Sequence, residues 1–241
     1  MQARVRPYPA EPATEAPVVG ECHVWVIDLN CPPVAASVLA GLLTDDERAR
    51  AERYRVKEVR DQFTLARGAL RRLLGGYLDM APQRVPIVVA AGGKPELTSG
   101  GLHFNLTHTP GLALVAVAGV RVGVDAEKRR TIPDADGLVE RFFSAAERAV
   151  YHDLSADVRP DAFYRGWVCK EAVIKAAGAT MHVLDAFDVE LDPARPAAVL
   201  AARHPQFAGS EWAVADWCPM PGYAAAVAVE GTNVELIGLR K

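Results

Sequence analysis

The segment Asp161-Ala-Phe-Tyr-Arg-Gly-Trp-Val-Cys-Lys-Glu-Ala-Val-Ile-Lys-Ala-Ala-Gly178 is predicted to form one long helix. Trp167, Glu171 and Lys175 follow one another at intervals of four residues, so they share one face of that helix. Gly178 is expected to end the helix, because glycine readily adopts the left-handed backbone found just after many helices. The helix therefore presents a carboxylate and an ammonium group one turn apart.

A strand earlier in the chain, Val122-Gly-Val-Asp-Ala-Glu127, carries two more carboxylates. Asp125 and Glu127 are two residues apart and point to the same side of the strand. If the end of this strand meets the helix, the three carboxylates converge beside Lys175. Mg²⁺ is commonly bound by a few carboxylates together with substrate phosphate oxygens, and a lysine can hold the phosphate. The alternative is a solvent-exposed strand end whose acidic residues only balance the basic residues that follow.

The composition excludes several classes of protein. Of the 241 residues, 50% are hydrophobic and 24% are charged, which allows a sizeable core and excludes global disorder. The net charge of −3 argues against a general nucleic-acid-binding protein. No apolar run approaches the roughly 20 residues of a membrane-spanning helix. The four cysteines form no C-x-x-C pair, so a reducing, cytoplasmic environment is expected.

The chain is predicted to contain an internal repeat. Two patterns recur at an offset of 100 residues, namely Thr44-x-x-Glu47 as Ser144-x-x-Glu147 and Asp61-x-Phe63 as Asp161-x-Phe163. Each of the first pair is a capping box that begins a helix. The repeat predicts two similar α+β subdomains, residues 21–119 and 120–241, with a ligand site in the crevice between them. Residues 1–20 contain four prolines and are expected to form a loosely ordered tail.

The segment from Arg48 to Arg72 is basic, with nine Lys or Arg against three Asp or Glu. A basic segment of this kind suits a phosphate-rich ligand. A solvated helix face would show the same charge, and charge alone does not separate the two.

The strand and the helix together resemble a known family. The motifs Gly123-x-Asp125-x-Glu127 and Trp167-x-x-Lys170-Glu171-x-x-x-Lys175 resemble the two signature motifs of the 4'-phosphopantetheinyl transferases, in the same order and about forty residues apart. The longer, surfactin-synthetase-activating type is the more similar. The resemblance extends upstream to Gly93-Lys94-Pro95 and Phe104-Asn105-Leu106-Thr107-His108, and covers roughly residues 45–190. It implies two pseudo-symmetric α+β subdomains with the site between them.

The resemblance also implies an activity. The family transfers the 4'-phosphopantetheine group of coenzyme A to a serine hydroxyl of an apo acyl or peptidyl carrier protein, with Mg²⁺, and releases 3',5'-ADP. By this resemblance Asp125, Glu127 and Glu171 hold the metal, and Glu171 and Lys175 are the catalytic residues. Because the repeat already pairs two halves within one chain, the active species is expected to be a monomer.

Further residues are assigned to coenzyme A by the same resemblance. Arg60 and Arg67 would contact the nucleotide phosphate from one helix face, and Lys94 would lie in a nucleotide-side loop. Thr107 and His108 are expected in a turn after a strand, with His108 near the 3'-phosphate. Asp125 and Lys175 would contact the diphosphate.

Several points stay open at this stage. Glu147 is either a candidate base for the serine, by family analogy, or only a member of its capping box; Glu171 and a metal-held water are the other candidate bases. The chain departs from the family pattern at Ala126 and at residues 179–182, neither of which removes a ligand. A non-catalytic coenzyme A or nucleotide-binding module of the same fold is the alternative function, and a structural or interaction protein is another. The carrier, its pathway and the tolerance for acyl-coenzyme A are not indicated.

Overall fold

Two sheets and two long helices make up the fold, in a computed structural model that describes residues 1–90, 92–98, 101–207 and 209–238. The strands are β1 Gln2–Pro7, β2 Glu21–Asp28, β3 Ile87–Val89, β4 Pro95–Leu97, β5 His103–Thr109, β6 Leu112–Ala118, β7 Val122–Lys128, β8 Phe187–Val189, β9 Val199–Ala202, β10 Trp212–Trp217, β11 Tyr223–Glu230 and β12 Glu235–Ile237. The helices are α1 Ala36–Gly41, α2 Asp45–Glu52, α3 Lys57–Tyr77, α4 Ala135–Phe142, α5 Ala145–Asp153 and α6 Arg159–Ala177, with 3-10 turns at Pro82–Arg84, Met181–Ala186 and Pro205–Phe207.

The internal repeat is visible in the strand order. The first sheet runs β12-β1-β2-β6-β5 and the second β10-β11-β7, while β3-β4 and β8-β9 form separate two-stranded ribbons. Within the sheets, β2-β6-β5 corresponds to β7-β11-β10, with antiparallel pairing throughout. Each of these triplets accompanies a capped short helix and a long helix, α2 and α3 in one half, α5 and α6 in the other. The predicted pseudo-symmetric α+β fold is confirmed.

The elements form four layers, in the order α3, first sheet, second sheet and α6, and one cluster of buried apolar residues lies between each pair of neighbouring layers. Residues such as Val24, Leu114, Val124 and Val227 are buried where the two sheets pack face to face. The apolar side of α3 covers the outer face of the first sheet, and α6 covers the outer face of the second. Burial of these apolar surfaces is the main force that holds the halves together.

Helix α6 lies unusually close to β7 because Gly123 has no side chain. A Cβ atom at Gly123 would be 2.1 Å from the carbonyl oxygen of Ala172. The helix ends as predicted, since Gly178 adopts a left-handed backbone with φ of 68°. The close approach of strand and helix brings Asp125 next to α6.

The N-terminal segment differs from the prediction of a loosely ordered tail. Residues Gln2–Pro7 form β1, which pairs with both β2 and β12. Beyond it, Tyr8 is buried and Arg72 donates a hydrogen bond to the carbonyl oxygen of Pro9 at 2.9 Å. The prediction is wrong here. The prolines suggested an irregular segment, but residues 2–6 alternate between outward-facing and core-facing positions, with Ala3 and Val5 facing the core.

The proposed subdomain limits, residues 21–119 and 120–241, stay a prediction. Strand β12 follows the second half in the chain but belongs to the first sheet, so the first sheet draws on both ends of the chain. Among the described residues no helix is long and apolar enough to span a bilayer. The four cysteines are all free thiols.

Candidate active site

The two halves meet where β5, at one edge of the first sheet, runs beside β7, at one edge of the second. This β5–β7 junction is bridged by alternate side chains of β5. The amide of Val124 donates to Asn105 Oδ1 at 2.9 Å, and the amide of Lys128 donates to Thr109 Oγ1 at 3.3 Å. Between them, Thr107 Oγ1 donates to Asp125 Oδ1 at 3.1 Å. Thr107 and His108 therefore lie within strand β5, and the predicted turn at this position is wrong.

Asp125 and Lys175 form the centre of the candidate site. Lys175 Nζ lies 2.5 Å from Asp125 Oδ1 and 3.3 Å from Thr107 Oγ1. Asp125 is only 3% exposed, yet among the residues that the structure describes its second oxygen, Oδ2, has no hydrogen-bond partner. A buried carboxylate oxygen without a partner is costly unless a ligand or ion binds it.

Glu127 and Glu171 lie close enough to Asp125 for their charges to interact. Burial raises the pKa of Glu171 to about 6, and the negative charges of Asp125 and Glu127 add to the effect. Burial also raises the pKa of Glu127, again with a contribution from Asp125. Lys175 opposes both shifts. The site therefore holds more negative charge than its single lysine neutralises.

The predicted convergence of three carboxylates is only partly realised. In the parts of the chain that the structure describes, no group of three or more His, Cys, Asp or Glu side chains is arranged to hold a metal ion. The Lys175 ammonium group instead contacts Asp125 directly. The chemistry of the residues nevertheless fits a hard cation, because Asp125 Oδ2 lacks a partner in the described part of the chain and the carboxylates repel one another.

A small cavity of about 190 Å³ lies on the side of β5 that faces α3, where it is lined by Leu106 and His108, the two neighbours of Thr107 in the strand. Its lining includes Arg67 and His108, together with Arg50 and aromatic residues of the α2–α3 region. Burial lowers the pKa of His108, and the positive charges of Lys175 and Arg50 lower it further. The lining contains two arginines, Arg50 and Arg67, against one glutamate, Glu47, so the cavity has a net positive charge, and Lys175 lies close enough for its charge to act on His108. The structure brings together two of the residues predicted to bind the nucleotide.

Two other predicted nucleotide-binding residues lie elsewhere. Arg60 is on α3 but does not line this cavity. Lys94 Nζ donates to the backbone carbonyl oxygens of Ala176, at 3.0 Å, and Val122, at 3.2 Å. Burial lowers the pKa of Lys94 to about 8. In this structure Lys94 caps the C-terminal end of α6, where a positive charge interacts favourably with the helix dipole.

Comparison with known proteins gives the same family as the motifs. A sequence model of the 4'-phosphopantetheinyl transferase superfamily matches residues 121–228. The 4'-phosphopantetheinyl transferase HetI of Nostoc sp. (strain PCC 7120 / SAG 25.82 / UTEX 2576) is 38% identical over 216 residues, which are 88% of this chain and 88% of HetI. The chain belongs to the 4'-phosphopantetheinyl transferases. The family member Sfp of Bacillus subtilis (strain 168) is 29% identical over 154 residues, 62% of this chain and 66% of Sfp.

In this transferase Glu147 is part of a buried ion pair. Lys170 Nζ donates to both carboxylate oxygens of Glu147 at 2.7 Å and to the carbonyl oxygen of Phe187 at 2.7 Å. The amides of Ser144 and Val189 also donate to Glu147, each at 2.8 Å. Glu147 is 2% exposed and its hydrogen-bonding capacity is filled. This environment favours the structural interpretation of Glu147 over a role as base.

Asn105 and Thr109 were missed as residues that build the site of this transferase. Both act at the β5–β7 junction, on either side of Thr107. The alternation Asn105-x-Thr107-x-Thr109 in the sequence was the available indication, because three polar side chains on one face of a buried strand require partners.

Proposed function

We propose that this transferase moves the 4'-phosphopantetheine group of coenzyme A to a serine hydroxyl of an apo acyl or peptidyl carrier protein and releases 3',5'-ADP. The observation that carries the proposal is the pairing of Lys175 with Asp125 beside Glu171, while Asp125 Oδ2 has no partner within residues 1–90, 92–98, 101–207 and 209–238. An ammonium group among carboxylates supports binding of a diphosphate with a divalent cation. The neighbouring cavity with Arg67 and His108 supports binding of a nucleotide phosphate.

The reaction exchanges one phosphorus–oxygen bond for another. The serine oxygen forms a bond to the phosphorus that carries pantetheine, and the bond from that phosphorus to the oxygen of the ADP part breaks. In our proposal the serine proton passes to Glu171, and the electron pair of the broken bond leaves on 3',5'-ADP. The protein contributes mainly by holding the reactants in position and by neutralising charge.

Each residue at the centre has a proposed role. Lys175 holds the diphosphate and offsets the charge that develops on the leaving phosphate. Asp125, Glu127 and Glu171 are proposed to hold Mg²⁺, which when bound neutralises negative charge on the phosphate oxygens. Thr107 orients Asp125 through their hydrogen bond. Roles for Arg60 and Lys94 at the nucleotide stay predictions.

The active species is proposed to be a cytoplasmic monomer. Both strands of the β5–β7 junction belong to one chain, so this part of the site needs no second subunit. Light scattering combined with activity across a dilution series tests this. Activity that falls as an oligomer dissociates would contradict the proposal.

Intact-mass analysis tests the function directly. Several apo carriers are incubated with coenzyme A and Mg²⁺, and one of them is expected to gain a single phosphopantetheine group. The same carrier with its serine replaced by alanine should gain nothing. A chain that binds coenzyme A but leaves every carrier unmodified would be the non-catalytic coenzyme A-binding module instead.

Replacing Arg67 or His108 by alanine is expected to raise the KM for coenzyme A by about 10- to 100-fold, with a much smaller change in kcat. The reason is that both side chains are proposed to contact the nucleotide phosphate, away from the reacting phosphorus. Steady-state kinetics with coenzyme A and with 3'-dephospho-coenzyme A measure the effect. The increase in KM should be smaller for 3'-dephospho-coenzyme A, which lacks the 3'-phosphate that the two side chains are proposed to contact.

Arg55→Ala is the matched control, because Arg55 is an exposed arginine of the same basic segment that does not line the cavity. It should leave both KM values nearly unchanged. If Arg67→Ala and His108→Ala raise the KM equally for both substrates, these residues form a general basic surface and do not recognise the 3'-phosphate.

A further inference from the structure

Glu47 is an acidic residue in a cavity whose other charged residues are basic. Its Oε1 accepts a hydrogen bond from Arg67 Nε, and its Oε2 accepts from Arg71 Nε and from the Thr44 amide. Burial alone would raise the pKa of Glu47, but the hydrogen bonds from Arg71 and Thr44 and the charge of Arg67 lower it below its usual value. A carboxylate that stays charged beside a phosphate site would repel the ligand, so its presence there needs an explanation.

The two arginines that Glu47 binds differ in their other contacts. Arg71 Nη1 also donates to the carbonyl oxygens of Pro82, at 2.8 Å, and Val85, at 3.3 Å, so Arg71 is committed to the fold. Arg67 donates only through Nε, and within the described residues neither of its Nη groups has a protein acceptor. The Arg67 side chain is nevertheless only 14% exposed. Because the guanidinium group is planar, fixing Nε fixes the direction of both Nη groups, which stay available to the cavity.

The equivalent glutamate of the second half shows a different arrangement. Glu147 occupies the same place in its capping box, but its partner is the buried Lys170 and it does not line this cavity. The capping box alone therefore does not require that a glutamate contact an arginine at a ligand cavity. The contact with Arg67 is an additional feature of the first half.

We propose that Glu47 is a positioning residue for coenzyme A, which holds the Arg67 guanidinium group so that its two Nη groups bind a nucleotide phosphate together. This inference rests on the proposed function of the cavity. It explains why the carboxylate is present, since an arginine held in one orientation loses less entropy on binding than a mobile one. A lysine at position 67 could not be oriented in this way.

The test is a double-mutant cycle on binding and turnover. Glu47→Gln, which can still complete a capping box, is expected to raise the KM for coenzyme A by about threefold to tenfold with kcat within about twofold of wild type. In the Arg67→Ala background the same change should have almost no further effect, because the group it positions is gone. Isothermal titration with 3',5'-ADP should show the same pattern in Kd.

Thr44→Ala is the matched control for stability. It removes the other half of the capping box and should lower Tm while leaving the KM for coenzyme A unchanged. Multiplicative effects of Glu47→Gln and Arg67→Ala, or a loss in kcat without a change in KM, would overturn the positioning role. If Arg67→Ala leaves the KM for coenzyme A unchanged, the proposed nucleotide cavity is wrong. If Arg67→Ala raises this KM as expected but Glu47→Gln does not, only the positioning role of Glu47 is wrong.

Discussion

Replacing Asp125 by Asn, or Glu171 by Gln, is expected to lower kcat by about 100- to 1000-fold at saturating coenzyme A and Mg²⁺. Either change removes a negative oxygen that is proposed to hold the cation, and the first also takes the charged partner from Lys175. The fold should survive, because these carboxylates are desolvated and repel one another. Initial rates of carrier modification, with Tm measured alongside, give the result.

Glu140→Gln is the matched control for loss of a carboxylate. Glu140 lies on α4, is half exposed and pairs with His152 and Arg148, outside the site. Its rate should equal that of wild type. A second measurement does not depend on turnover: Mg²⁺ added with coenzyme A should raise the Tm of the wild type but not of the Asp125 or Glu171 variant. Normal rates in either variant at limiting Mg²⁺ would remove that residue from the proposed metal site.

The centre of the site could be predicted from the sequence because its geometry is local. Glu171 and Lys175 share a helix face at a spacing of four, and Asp125 and Glu127 share a strand face at a spacing of two. Only one long-range contact, strand against helix, had to be assumed. Gly123 permits that contact, and it is itself part of the recognised motif.

The parts that were missed depend on contacts between distant segments. Strand β1 joins β12 from the other end of the chain, and no local pattern indicates such a pairing. The contacts of Lys94 with the carbonyl groups of Val122 and Ala176 likewise join distant segments, and its role at the nucleotide stays a prediction. The same limit applies to Asn105, whose acceptor oxygen is matched to one particular amide of β7. Periodicity reports which face a residue lies on, and not which segment covers that face.

The contested glutamate illustrates how burial separates two interpretations of one motif. Ser144-x-x-Glu147 satisfies the pattern of a capping box, and it also stands where a base is considered by family analogy. The structure adds Lys170, which is 1% exposed and contacts both oxygens of the carboxylate. A base must be reachable by the serine hydroxyl, while this carboxylate is enclosed by donors.

Glu147→Ala is therefore expected to destabilise the protein by about 3–5 kcal/mol, because it leaves the Lys170 charge buried without a partner. Ser144→Ala, which removes only the cap, should cost about 1 kcal/mol. The double variant Glu147→Gln with Lys170→Met should be more stable than Glu147→Ala, because it buries no charge without a partner. Urea unfolding measures these differences, and kcat per folded molecule is measured on the same samples. A Glu147→Gln variant with normal stability but a kcat lowered by about 100-fold would instead identify Glu147 as the base.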